Sequence, residues 1–582
     1  MASLLPPSVA ISGSSGTATS FLPKTSQLSI HGKRKPNFIS KPVSCKATNG
    51  DDQNKLDRRD ILLGLGGLYG VSSINDSLAF AKPITGPDFT HCGRPDLPTG
   101  AANINCCPPP STKIVDFVLP PSNAPLRTRP AAHLVNDDYL AKFSKAIELM
   151  KALPASDPRS FMQQANVHCA YCDGAYHQLG FPDLDLQVHN SWLFFPFHRF
   201  YLYFFEKILG KLIDDPTFAM PFWNWDSPAG MQMPTIYANP NSPLYDKLRN
   251  ASHKPPTLLD LDYNGVDETS KDQISSNLNV MYRQMVSNGK TAKLFLGNAY
   301  RAGEEPDPGA GSLENIPHGP VHIWCGDNKQ QNFENMGNFY SAGRDPIFYA
   351  HHSNVDRMWS VWKTLGGKRT DFTDSDWLNS AFLFYDENAN LVRVKVRDCL
   401  DTKKLLYEYQ NVEIPWLKTK PTPKRVISKV KRALGVANAA ETKKKVVRNV
   451  KFPLVLDDIV SLEVARPKKS RSRKEKEEEE EVLVIENIEF DRHQVVKFDV
   501  YINDEDDTVI GRDNTEFAGS FVNVPHKHKH GKKMATFLRL GLTDLLEELD
   551  AEDDDGVVVT LVPKFGKGLA KIGGIKIEFA RD

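Results

Sequence analysis

Histidines are unevenly distributed along this 582-residue chain, and several stand at spacings that suit a metal site. His318 and His322 are four residues apart, so on a helix both imidazoles would project from one face. A pair at this spacing is common in metal sites but is only moderately specific. Asp356 follows His352 by four residues on the same predicted helical face, and it could hydrogen-bond or orient a ligand histidine.

Three more histidines lie upstream, in segments rich in aromatic residues. His168 stands in His-Cys-Ala-Tyr-Cys, His189 in Gln-Val-His-Asn and His198 in Phe-Phe-Pro-Phe-His-Arg-Phe. The aromatic residues would keep such ligands in a dry pocket. Two groups of three imidazoles, with no carboxylate in the proposed ligand set, favour a soft-to-borderline metal such as copper. Any one of these histidines alone is more often structural, so the prediction of a metal centre depends on their combination.

The helical segments that must position these histidines are indicated by capping residues and apolar periodicity. Asn136 can cap a helix with an apolar stripe, and Ser191 can start a second helix that is dense in aromatic residues. Residues 317–325 and 346–363 have the pattern of two further helical segments. Pro- and Gly-rich loops separate these segments. We therefore expect residues 82–420 to form a mainly α catalytic domain with long loops.

The character of the chain changes after about residue 420. Residues 421–449 are basic and poor in aromatic residues, which is typical of a linker. Beyond them, alternating apolar residues predict a β-rich domain, 450–582, with strands near residues 495–502, 517–524, 557–562 and 575–579. The run from Lys468 to Glu481 changes from basic to acidic, and we interpret it as a solvated loop. His526, His528 and His530 alternate with lysine; they could bind metal, but a charged surface turn is the simpler interpretation.

The first 81 residues have the features of a two-part leader. Residues 1–50 contain no Asp or Glu and are rich in Ser and Thr, which is typical of an organelle transit peptide, with a disordered tail as the alternative. Residues 51–81 contain Arg58-Arg59, a short apolar run and Ala79-Phe80-Ala81, as in a twin-arginine export signal. Two such signals in series resemble the leader of a protein of the chloroplast thylakoid lumen, whose mature chain would begin near Lys82.

Charge and hydropathy give no indication of a nucleic acid or a membrane as partner. Lys+Arg and Asp+Glu both number 72, so the balance gives no reason to expect a nucleic acid or an acidic membrane as partner. The apolar run in the leader is shorter than the roughly 20 residues that a membrane span needs. We predict no nucleic-acid binding and no stable membrane insertion.

The histidine motifs resemble those of the coupled binuclear copper family, which includes plant polyphenol oxidases, tyrosinases and hemocyanins. The resemblance to plant polyphenol oxidases covers nearly the whole chain and includes Asp376-Trp377-Leu378, Tyr407-Glu408-Tyr409 and Lys497-Phe498-Asp499-Val500. It implies a four-helix-bundle core that binds two copper ions. The implied ligands are His168, His189 and His198 for one copper, and His318, His322 and His352 for the other. His352 is chosen over His351 because it keeps the His-x-x-x-Asp spacing of the wider family.

The resemblance also assigns the cysteines. It implies a thioether bond between Cys172 and the ring of His189. The implied disulfides are Cys92–Cys107 and Cys106–Cys169. The alternative is a zinc knuckle or redox motif made by His168 and Cys169-x-x-Cys172. No second cysteine pair supplies the remaining ligands of a zinc site, so we favour the first assignment.

The activity that the resemblance implies is oxidation of small o-diphenols to o-quinones by dioxygen. Phe339 matches the family's gate residue above the second copper, and Glu314 matches a glutamate that holds a water near the site. In the family, asparagine directly after the first histidine of the second copper site goes with monophenol hydroxylation. This chain has Gly319, which has no side chain to help deprotonate a phenol. We therefore predict weak or no monophenol hydroxylation.

Three other functions remain open at this point. They are a tyrosinase with monophenolase activity, a hemocyanin-like oxygen-binding protein, and a structural or storage protein with vestigial metal sites. The β-rich domain carries no chemistry of its own that the sequence reveals. In the resembling family this domain shields the entrance of the copper site, and proteolysis in the exposed linker would remove it. We expect the intact chain to be latent for that reason.

Overall fold

A computed structural model describes residues 82–267, 272–424, 450–504, 511–526 and 535–580. The predicted leader and residues 425–449 of the predicted linker lie outside the described residues. We call residues 82–424 the helical domain and residues 450–580 the β domain. Among the described residues, no helix has both the length and the apolar character to cross a membrane.

Among the described residues, nine α-helices lie in the helical domain and two more in the β domain. Two π-helical turns also belong to the helical domain. Arg283–Ser287 directly follows α4, and Glu314–His318 directly precedes α6. The helices are α1 Asp137–Ala152, α2 Phe161–Cys172, α3 Phe194–Leu212, α4 Gln273–Tyr282, α5 Ala292–Leu296, α6 Gly319–Cys325, α7 Phe339–Ala342, α8 Ile347–Thr364, α9 Ser375–Asn379, α10 Arg473–Glu478 and α11 Thr543–Glu548.

Local signals account for most of the long helices. The side chain of Asn136 accepts a hydrogen bond from the backbone N–H of Tyr139 and caps α1, as predicted. The aromatic helix α3 begins at Phe194, three residues after the predicted start at Ser191. Sequence analysis did not identify α2, which Ser160 caps. The helix α3 packs against both α1 and α8, as expected for a mainly α domain.

The described part of the chain contains seven short strands in the helical domain and nine strands in the β domain. The parallel pair β2–β7 joins the start of the helical domain to its end. The strands are β1 Ile114–Asp116, β2 Arg127–Arg129, β3 His177–Gln178, β4 Phe181–Asp185, β5 Ala381–Tyr385, β6 Leu391–Lys395, β7 Tyr407–Tyr409, β8 Leu454–Val455, β9 Val460–Ala465, β10 Glu480–Glu489, β11 Val496–Ile502, β12 Phe517–Asn523, β13 Ala535–Gly541, β14 Gly556–Phe565, β15 Lys571–Ile572 and β16 Gly574–Ala580.

The β domain consists of two mainly antiparallel sheets. One has the order β13-β10-β15-β8 with β16 also on β10, and the other has the order β12-β11-β14-β9. Buried residues of both sheets, such as Leu483 in β10 and Leu561 in β14, share one hydrophobic core. The predicted strands near 495–502, 517–524, 557–562 and 575–579 correspond to β11, β12, part of β14 and β16. The β-rich domain is therefore confirmed.

The charged run from Lys468 to Glu481 is not simply a solvated loop. Its middle forms the exposed helix α10, but Glu480 and Glu481 begin β10 and are buried. Arg466 donates from Nε and Nη2 to the two carboxylate oxygens of Glu481, at 2.8 and 3.0 Å. A buried carboxylate needs such a partner, and the partner lies outside the charged run. The prediction was wrong for this end of the run.

Candidate metal centre

The structure brings seven histidines into two buried groups. The first group comes from α2, the loop before α3, and α3; the second comes from the π-turn, α6 and α8. Within each group, the ring nitrogens that could bind a metal all lie within 4.8 Å of one another. The groups are His168, His189 and His198, and His318, His322, His351 and His352.

Hydrogen bonds fix the orientation of five of these rings through Nδ1. Each Nδ1 lies 2.7–3.2 Å from an oxygen that can only accept, so Nδ1 carries the hydrogen and Nε2 keeps a lone pair. The pairs are His168–Phe339 O, His189–Gln187 Oε1, His198–Phe194 O, His318–Glu314 O and His322–Met336 O. This tautomer is the one that a metal-binding histidine needs.

The Nε2 atoms of these rings are available as metal ligands. Nε2 of His168, His189, His198 and His318 is buried and has no hydrogen-bond partner among the described residues. An unpaired buried acceptor is costly, and a metal ion would satisfy these atoms. Burial also lowers the pKa of the rings, to about 3 for His168 and about 4 for His322, so they are neutral at physiological pH and free to bind metal.

The two groups face each other, and the geometry separates His352 from His351. The His352 ring stacks on that of His198 in the first group, with centroids 4.3 Å apart. Its Nε2 lies 3.1 Å from Nε2 of His322. The ring of His351 instead lies 6.1 Å from that of Trp225 and 5.6 Å from that of His318, neither of which belongs to the first group. Of these two neighbours, His352 is therefore the one that stacks on the first group.

Phe339, the predicted gate residue, lies between the first histidine group and the β domain. Its ring stacks on His189 with a centroid distance of 4.0 Å, and on its other side on His526 at 5.0 Å. Its backbone N–H donates to the carbonyl oxygen of Pro525 at 3.3 Å. His526 is 2% exposed, so the interpretation of a surface turn was wrong for it. The two histidines that follow it in the alternating run lie outside the described residues.

Glu314 and Gly319 both lie beside His318, as their sequence positions require. Oε1 of Glu314 accepts a hydrogen bond from the backbone N–H of Asn190 at 2.5 Å, and burial raises the pKa of this carboxyl well above its usual range. Gly319 begins α6 and faces Val522 of β12. The neighbourhood of this glycine is therefore made partly by the β domain.

Asp356 makes no hydrogen bond to any histidine that the structure describes, so one part of the sequence prediction is corrected. Its carboxylate accepts from Arg199 Nε at 2.5 Å, Arg129 Nη1 at 3.3 Å and the hydroxyls of Tyr407 and Tyr409. Burial alone would raise the pKa of Asp356, but the two arginines outweigh this and lower it. Asp356 thus ties α8 to the residue after His198 and to β7, and can orient ligands only through these elements.

The two disulfides are those that the resemblance implied. The structure contains the disulfides Cys92–Cys107 and Cys106–Cys169. Cys169 is therefore not available for a zinc knuckle, and that alternative fails. Cys172 is buried and outside any disulfide. Its carbonyl oxygen accepts from Gln187 Nε2 at 2.9 Å, and Oε1 of the same glutamine accepts from the His189 backbone at 2.9 Å.

Sequence analysis missed two contributors to the site. Gln187 orients His189, and its position two residues before a candidate ligand could have drawn attention to it. Val522 belongs to the hydrophobic core of the helical domain although it lies in β12. No local signal distinguishes it from other strand valines, because its role depends on its contacts with the helical domain.

Family models match three consecutive parts of the chain. Residues 158–365 match the common central domain of tyrosinase, residues 371–422 match the polyphenol oxidase middle domain, and residues 452–579 match the chloroplastic polyphenol oxidase C-terminal domain. The first match contains both histidine groups, and the third covers nearly all of the β domain. Fold and site are thus those of a tyrosinase-type oxidase.

Individual relatives narrow the class. The chain is 68% identical to the chloroplastic polyphenol oxidase of Malus domestica over the full length of both proteins. It also matches the structure of latent apple tyrosinase with 70% identity and a TM-score of 0.76, over 80% of this chain and all of that one. The (+)-larreatricin hydroxylase of Larrea tridentata is 54% identical, over 94% of this chain and 96% of that protein. The chain belongs to the plant polyphenol oxidase family of copper oxidases.

Proposed function

We propose that this chain oxidises o-diphenols to o-quinones and reduces dioxygen to water. Two catechols each lose two electrons and two protons, and the four electrons and four protons convert one dioxygen to two waters. The observation that carries the proposal is the convergence of buried Nε2 atoms, five of them on rings whose Nδ1 is already bonded. Bound copper would accept electrons from the diphenol and pass them to dioxygen.

The proposed ligands are three histidines for each of two copper ions. His168, His189 and His198 would hold one ion, and His318, His322 and His352 the other. The position of His352 supports it over its neighbour, because its Nε2 lies 3.1 Å from Nε2 of His322 and its ring stacks on that of His198. The buried free thiol of Cys172 is the proposed partner of His189 in a thioether bond, which mass spectrometry would detect as the loss of two hydrogen atoms from the joined peptides.

The preference for diphenols is proposed from position 319. A monophenol has to be deprotonated before it can react, and a water held by two polar side chains could accept that proton. Glu314 supplies one such side chain, but Gly319 supplies none. A relative named a hydroxylase keeps monophenol hydroxylation as the alternative, and the substrate test below separates the two.

The β domain is proposed to shield the site in the intact chain. Val522 and Val524 pack into the core of the helical domain, and His526 covers the outer face of Phe339. Burying an apolar rim in this way also removes it from water. Cleavage between residues 421 and 449 would release the shield. The leader and the names of chloroplastic relatives support a location in the chloroplast, and the twin-arginine pattern supports the thylakoid lumen.

Oxygen uptake with 4-methylcatechol and with 4-methylphenol tests the activity, because the two substrates differ by one hydroxyl group. We define the latency ratio as the rate of the intact chain divided by its rate after brief trypsin treatment. We expect about two coppers per chain from the six-ligand assignment, a low latency ratio, and turnover of the diphenol far above the monophenol. Oxygen binding without turnover would favour a carrier, and absence of copper a structural protein.

A matched variant tests the diphenol preference. Gly319→Asn, measured after trypsin treatment, should raise the rate with 4-methylphenol relative to 4-methylcatechol. The trimmed form is required because a side chain at this position also meets the β domain. An unchanged ratio would remove the main support for the preference.

A further inference from the structure

We infer that Gly319 has a second role, which rests on the proposed shielding: it lets the β domain close over the histidine groups. Gly319 follows His318 directly and has φ −59° and ψ −52°. These are ordinary right-handed helical angles that any residue adopts. Glycine is one of the least favourable residues in a helix, so the backbone alone gives no reason for a glycine here.

The reason lies in the contact with β12. A Cβ atom on residue 319 would lie 2.8 Å from Cγ1 of Val522 and 3.4 Å from Cγ2 of Val524. Carbon atoms in favourable contact are about 3.5–4.0 Å apart, so the first distance is a clash. Both valines are more than 90% buried, and valine is restricted at χ1. The helix can therefore carry a side chain at this position only if β12 moves.

Hydrogen bonds hold β12 in its register. Asn315, four residues before Gly319, donates from Nδ2 to the carbonyl oxygen of Ser520 and accepts at Oδ1 from the backbone N–H of Val522, at 3.0 Å. Asn315, Ser520 and Val522 are all buried. Sliding the strand would leave these polar groups unsatisfied, which costs more than an exposed bond. Added volume at residue 319 is therefore expected to push the β domain outward as a whole.

Position 319 thus links substrate class to latency. A side chain there, whether alanine or the asparagine that goes with monophenol hydroxylation, should open the shield without proteolysis. With glycine at this position, no side chain beside His318 helps to deprotonate a monophenol, and β12 can pack closely against α6.

The test uses the full chain with Gly319→Ala, and the double variant Gly319→Ala/Val522→Ala as its matched control. Gly319→Ala should raise the latency ratio several-fold, and the ratio cancels any effect on catalysis itself. The double variant should return towards the original ratio, because Cβ of Val522 would lie 4.0 Å from the added Cβ, an ordinary contact. Size-exclusion chromatography of trypsin-cut protein supplies a second readout: the C-terminal fragment should dissociate faster from Gly319→Ala.

The outcomes separate this inference from the proposed function. Folded Gly319→Ala with an unchanged latency ratio and unchanged fragment retention would overturn the inference. Failure of the trimmed chain to oxidise catechol would overturn the proposed function, while fragment retention would still test the inference. If Gly319→Ala does not fold, Val522→Phe adds the volume from the β domain side, and it should raise the ratio in the same way; a folded Val522→Phe protein with the original ratio would contradict the inference.

Discussion

Replacing Asp262 with asparagine tests how the β domain is held on the helical domain. Asp262 belongs to the helical domain and is 1% exposed. Its carboxylate lies 3.1 Å from Nζ of Lys497 and accepts from Nε of Arg512 at 2.8 Å, and both cations come from the β domain. Burial alone would lower the pKa of Lys497, but Asp262 and Asp499 outweigh this and raise it. The Lys497 and Asp499 of this cluster are two residues of the Lys-Phe-Asp-Val motif.

The expected size of the effect follows from this burial. Removing one partner of a buried ion pair costs about 3–5 kcal/mol, because the other charge is left uncompensated. Asp499 remains 2.9 Å from Lys497 and 3.5 Å from Arg512, so the lower end applies. About 3 kcal/mol corresponds to roughly a hundredfold change in the equilibrium between closed and open forms. The rate of the intact chain should rise by up to that factor, limited by the rate of the trimmed enzyme.

The assay is the latency ratio measured with 4-methylcatechol, and the matched control is Asp260→Asn. Asp260 lies two residues from Asp262 and is partly buried, but among the described residues it forms no ion pair with Lys497 or Arg512, whereas Asp262 pairs with both. Loss of its charge should therefore change closure less. It accepts the backbone N–H of Asp262 at 2.9 Å, a bond that asparagine retains. An Asp262→Asn chain with the same latency ratio as the original and a fully active trimmed form would refute the reasoning.

Further predictions concern the ligands and pH. His322→Ala should lose one copper and all catechol oxidation while its circular dichroism stays unchanged; a copper-replete, active variant would refute the ligand assignment. His352→Ala should lose copper and His351→Ala should keep it, and metal analysis showing the reverse would exchange their roles. Burial would raise the pKa of Asp499, but Lys497 outweighs this and lowers it. The groups that lower it, Lys497, Arg512 and Lys564, all lie in the β domain, so Asp499 contributes to the stability of that domain; the contribution is present above about pH 4 and lost as the pH falls through the lower folded pKa. The free energy of unfolding of the full chain, measured by denaturant titration, should therefore stay constant from about pH 5 to 8 and fall below about pH 4; a fall already at about pH 6 would contradict this.

The sequence by itself predicted several of the elements and grouped the candidate histidines, because these depend on local spacing, whereas the full ligand set was implied by the family resemblance. The four-residue separation of His318 and His322 predicted two rings on one face, and the structure has them in one group. The cap at Asn136 and the alternation in residues 495–502 predicted α1 and β11 for similar reasons. The disulfides were also expected, but through the family resemblance and not through any pattern in this chain.

Only the tertiary structure decided what covers each of these faces. The burial of His526 beside Phe339 and the partners of Asp356 depend on residues far away in the chain. The contact between Gly319 and Val522 is of the same kind, since it joins two domains across about 200 positions. Periodicity predicts which side of an element is buried. The packing energy and the charge compensation on that side depend on the residues that contact it, and these contacts are set by the tertiary fold.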